Sequence, residues 1–116
     1  MRFEPIAIVG QGCVLPGALS PGALWEAVVE GRDLLSVAPE GAWRISRERI
    51  MGAPGDAADR TWSDRGGYVE GFEEAFDPQG YTLTPDEVRA LDPLVKWSLY
   101  AGRQALEGVH LTDPGR

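Results

Sequence analysis

Residues 5–17 read Pro-Ile-Ala-Ile-Val-Gly-Gln-Gly-Cys-Val-Leu-Pro-Gly, and this stretch constrains the fold more than any other. Ile6 to Val9 is a continuous apolar run without alternation. Strands read that way when both faces of their sheet are covered, so the run predicts a central strand of an α/β layer. It leads directly into Gly10 and Gly12, the kind of strand-to-turn junction at which nucleotide-binding sheets hold a phosphate. The dinucleotide fingerprint then requires a third, small residue for helix–strand packing, and Leu15 stands in its place. A small nucleotide-binding α/β protein is thereby disfavoured. Gly10, Gly12 and Gly17 are read instead as residues that shape the backbone, because glycine takes positive φ without steric cost.

Helix signals bracket the next segment. Ser20 is placed to cap, Pro21 occupies a first helical position where its missing N–H costs nothing, and Gly31 stands where helices turn left-handed, predicting a helix over 20–31. Leu24, Trp25, Val28 and Val29 fall on one side of it, which should pack on the strand. Over 32–83 the periodicity fades, and Pro39, Gly41, Gly52, Pro54, Gly55, Gly66, Gly67 and Gly71 punctuate an irregular excursion too long for an ordinary loop. Trp43, Trp62, Tyr68, Phe72, Phe76 and Tyr81 lie along it, rings that would anchor it to a larger body. Helices return over 84–108. Thr84-Pro85-Asp86-Glu87 forms a capping box, and Asp92-Pro93 opens a second helix through about Glu107, closed by Gly108. That helix carries two apolar stripes, one of Leu94, Trp97, Ala101 and Ala105 and one of Val95, Leu99 and Leu106 with Gly102. Two stripes ask for burial on more than one side.

Composition sets outer limits. At 116 residues the chain fits one domain, and its 43% hydrophobic and 25% charged residues are those of a soluble globular protein. A net charge of −7 argues against a nucleic-acid partner, whose phosphates draw affinity from clustered Lys and Arg. A single cysteine makes no internal disulfide. The start shows no charged region followed by an apolar one, and no apolar run approaches the ~20 residues that span a bilayer. The expectation is a cytoplasmic chain with no membrane partner.

In order along the chain, Pro5–Gly17, Leu24-Trp25, Glu30-Gly31-Arg32-Asp33, Arg65-Gly66-Gly67-Tyr68 and Leu91-Asp92-Pro93 resemble the opening of a β-ketoacyl synthase, the condensing enzyme of polyketide and fatty-acid assembly. The resemblance implies a partial thiolase-like fold, with residues 1–116 as the N-terminal fragment of a layered α/β/α/β/α enzyme. It further implies that the complete enzyme loads an acyl group on a cysteine, decarboxylates a malonyl-type extender and joins the two by Claisen condensation. The family's nucleophile, in a Thr-Ala-Cys-Ser-like segment, and its two histidines lie downstream of the matched region. This chain is therefore expected to hold no catalytic, cofactor-binding or metal-binding residue and to be inactive alone. Phosphopantetheine would be carried by an acyl carrier protein. That protein and the remainder of the synthase are the implied partners, in a homodimer or heterodimer. Two departures leave the subfamily open. Phe76-Asp77-Pro78-Gln79-Gly80-Tyr81-Thr82-Leu83-Thr84-Pro85 replaces the commoner Phe-Phe-x-Ile-Ser-Pro-Arg-Glu, and Leu94-Val95-Lys96-Trp97 follows Asp92-Pro93 where Gln-Gln-Arg is frequent. The rival reading is a non-catalytic interaction or dimerisation module that docks on a full-length synthase or carrier protein.

Each chemically suggestive side chain has a plainer structural role. Cys13 needs a nearby base or helix N-terminus to become a nucleophile, and neither adjoins it in sequence. His110 stands alone, without a Gly-Thr-Gly-Thr or Asn-x-Gly-His context. Glu73 and Glu74 are adjacent and point apart, while Asp86 and Glu87 suit the first turn of a helix. One histidine, one cysteine and scattered carboxylates show no metal-ligand spacing. Arg44, Arg47 and Arg49 beside Trp43 form the densest basic cluster, which would suit an acidic carrier protein or simply face solvent.

Overall fold

Cap residues set most boundaries in the computed structural model, which describes residues 4–53, 55 and 58–109. Ser20 accepts a hydrogen bond from the Ala23 N–H at 3.1 Å and opens α1 (Pro21–Val29). Gly31 closes it at φ 65°, with the Gly31 and Arg32 N–H groups bonding back to the Val28 and Ala27 carbonyls. These two reversed bonds are the Schellman pattern that glycine permits. The excursion contains β1 (Ser36–Val37), α2 (Arg47–Ile50), β2 (Arg65–Gly66) and α3 (Phe72–Ala75). β1 and β2 pair antiparallel, Ser36 opposite Gly66 and Val37 opposite Arg65. The capping box forms as expected. Glu87 N–H donates to the Thr84 hydroxyl at 3.3 Å and Thr84 N–H to the Glu87 carboxylate at 2.9 Å, opening α4 (Pro85–Arg89). Asp92 then caps α5 (Pro93–Leu106) by accepting from the Leu94 N–H at 2.9 Å.

The core is built where the excursion meets α4 and α5. Phe72, Phe76 and Val88 are buried, with Val14, Leu19, Leu91 and Trp97 among the side chains packed around them. Phe72 stacks on Phe76 at 5.2 Å and meets the edges of Trp97 and Tyr100 at 6.2 and 5.4 Å. The excursion is thus anchored by rings, although Trp62 remains exposed.

Several expectations are corrected. Ile6–Val9 is not a strand here. It has no ladder partner among the described residues, and Ile6, Ile8 and Val9 are 94, 83 and 72% exposed. A central strand needs neighbours at both edges and layers on both faces, whereas the named strands here, β1 and β2, are two residues long and pair with each other. The face of α1 is also different: Ala27 is buried while Trp25, Val28 and Val29 are exposed. With Glu26 as the helix's one charged residue, the pattern hardly fixes its rotation. On α5 the buried residue is Lys96, while Leu94, Val95 and Leu106 are exposed. The Cα radius of gyration is 19.4 Å, against roughly 13 Å for a compact domain of this length.

Candidate functional site

The glycine segment lies directly on α5. A Cβ at Gly10 would sit 1.7 Å from the Ala105 carbonyl oxygen, and one at Gly12 would sit 2.0 Å from that of Ala101. Both contacts are closer than any side chain allows. Residues two apart in extended chain advance about 6.6 Å and residues four apart in a helix about 6 Å, so the two periods match. Gly10 and Gly12 therefore serve close packing, which corrects the expectation that all three glycines serve positive φ. Only Gly17 does, at φ 64°. It follows Pro16 in a turn closed by reciprocal bonds of 3.0 Å between Leu15 and Ala18, the proline-then-glycine arrangement of a type II turn.

Gln104 locks this contact. Its side-chain oxygen accepts from the Cys13 N–H at 3.1 Å, and its side-chain nitrogen donates to the Leu19 carbonyl at 2.5 Å. No sequence motif marks this bridge between residues 91 and 85 positions apart. Ala101 and Ala105, small and four residues apart, were the readable half of the contact.

The motifs that carried the family resemblance meet one another. Asp33 accepts from the Leu35 N–H at 2.9 Å and from Arg65 at 2.6 Å. The backbone bond and the guanidinium together hold its carboxyl below the usual carboxylate range. A Cβ at Gly67 would meet Pro16 at 2.9 Å, and one at Gly17 would meet Leu34 at 3.0 Å. The Gly-Arg-Asp and Arg-Gly-Gly segments are joints that tie the excursion to the first turn.

Among the described residues, none of the chemically suggestive side chains is assembled into a reacting site. Cys13 is half-buried, its thiol 3.9 Å from the Ala18 carbonyl. Glu73 pairs at 2.6 Å with Lys96, whose side chain is almost wholly buried, so this carboxylate neutralises a charge in the wall of the core. That pair was missed in the sequence because no spacing links α3 to α5. Asp86 pairs with Arg89 at 3.1 Å, and Glu87 serves its cap, where the Thr84 hydroxyl and then the Thr84 backbone N–H hold its carboxyl below the ordinary value. Of the arginine cluster, Arg47 is bound to Asp64, and the hollow of about 560 Å³ beside Trp43 and Arg44 also presents Glu40 and Glu48. The patch is mixed in charge. His110 lies outside the described residues. Among the described residues no cluster of His, Cys, Asp or Glu suits a metal ion, and no helix is long and apolar enough to cross a membrane.

What remains is an open surface. A cleft of about 960 Å³ runs along α5, lined by Leu99, Gly102, Arg103 and Leu106 with Tyr81 and Gln11. Arg103 lies 4.1 Å over the Tyr81 ring and donates to the Asp77 and Gln79 carbonyls, fixing the loop at the cleft's edge. The Ile6–Val9 run and Trp25, Val28 and Val29 of α1 are also bare.

The family model for the β-ketoacyl synthase N-terminal domain matches residues 3–115. Mycoketide-CoA synthase of Mycobacterium tuberculosis is 33% identical over 114 residues, covering 97% of this chain and 3% of that protein. Pikromycin polyketide synthase component PikAIII of Streptomyces venezuelae is 35% identical over 113 residues, 96% of this chain and 7% of its own length. Among solved structures, PfaC keto synthase–chain length factor superposes with a TM-score of 0.76 at 33% identity, over 87% of this chain and 11% of that one. The chain thus spans only a small part of these proteins.

Proposed function

This chain belongs to the β-ketoacyl synthase family, as an N-terminal segment of the condensing domain, and on that premise we propose that it is scaffold, not chemistry, for decarboxylative Claisen condensation. The substrates on this reading are acyl and malonyl-type thioesters, the latter presented on the phosphopantetheine arm of an acyl carrier protein. The observation that supports the scaffold role is the packing of Gly10 and Gly12 on α5: the segment that looks most like a ligand loop is filled by the protein's own helix. Cys13 is occupied in the same contact through its backbone N–H. Nucleophilic catalysis needs a thiolate with a base in reach, and the hydrogen-bond partners described for Cys13 are the Ala18 carbonyl and the Gln104 side-chain amide.

The test is a graft. Residues 3–115 replace the corresponding segment of the PikAIII condensing domain, and β-ketoacyl product is measured from carrier-protein thioesters. Turnover should persist, and Cys13→Ala in the graft should leave it within about twofold. Loss of product on Cys13→Ala in a folded graft would make Cys13 a nucleophile and overturn the scaffold reading. A folded graft that condenses nothing would remove the proposed reaction.

A further inference from the structure

We draw no further inference here: the strongest candidate, the apolar hollow of about 550 Å³ between the glycine segment and α1 that Cys13 lines with Leu24, Trp25 and Val28, joins a lone cysteine to an unpartnered apolar face, and nothing in the structure shows what covers it.

Discussion

Gly12 and Gln104 show how much of this chain is decided by single atoms. The Cβ of an alanine at position 12 would stand 2.0 Å from the Ala101 carbonyl oxygen, a backbone atom that moves only if α5 moves. Strain from such overpacking typically costs about 1–3 kcal/mol, a large fraction of the roughly 5–15 kcal/mol that holds a native domain. Gly12→Ala should therefore lower the melting temperature sharply, and it should break the Cys13–Gln104 bond beside it, seen as loss of exchange protection at the Cys13 amide. An alanine variant that melts with the parent would show that the glycine segment can lift off α5 freely. Gly102→Ala on the same helix enters open space, so the contrast isolates close approach from loss of chain entropy. The sequence shows both halves of the contact as small residues, but which glycine meets which helix is a tertiary fact.

At the scale of elements, caps carried the information. Ser20, Thr84 and Asp92 each accept from the first turn of the helix that follows, and each helix begins with proline. Removing the Thr84 oxygen leaves a helix N–H without its partner, and such caps are worth ~1 kcal/mol. Thr84→Ala should lower stability by that amount in urea melts at neutral pH. The reciprocal half of the box gives a pH signature. Thr84 holds the Glu87 carboxyl below its ordinary value of 4.5, so the folded form favours the ionised state. Its contribution is fully present above about that pH and is lost as pH falls through the lowered folded value. Glu87→Gln should remove this part of the acid dependence while keeping most of the neutral-pH stability, because an amide oxygen can still accept from the Thr84 N–H. An unchanged acid limb in Glu87→Gln would assign the dependence to other carboxylates, Asp33 with its Arg65 partner first among them. Helix rotation, by contrast, was beyond the pattern: α1 is apolar nearly all round, and Ala27 rather than Trp25 faces inward.

At the scale of the molecule, the balance is between one small core and a wide bare surface. Phe72, Phe76 and Val88 with their neighbours hold the excursion to α4 and α5, while Ile6, Ile8, Trp25 and Leu94 stay in water. Exposed apolar area on this scale marks a surface meant for contact. The isolated chain should bind a hydrophobic dye, melt broadly and associate as concentration rises. A sharply melting monomer without dye binding would identify an independent domain and contradict the exposed Ile6–Val9 run.

By itself the sequence determined the local and the familial. Caps, turns and helix ends are set by residues within a few positions of one another, and the family is carried by short motifs whose order survives divergence. Only the tertiary structure decided what those motifs are for. Asp33 meets Arg65 across the excursion, Glu73 meets Lys96 between two helices, and Gly10 and Gly12 rest on the carbonyls of Ala105 and Ala101. Such contacts join residues far apart in the chain, where periodicity carries no signal. The Ile6–Val9 run is the opposite case. Its apolar run states a need for neighbours on every side, and a sheet exists only when other strands supply the hydrogen bonds that a single strand cannot make for itself.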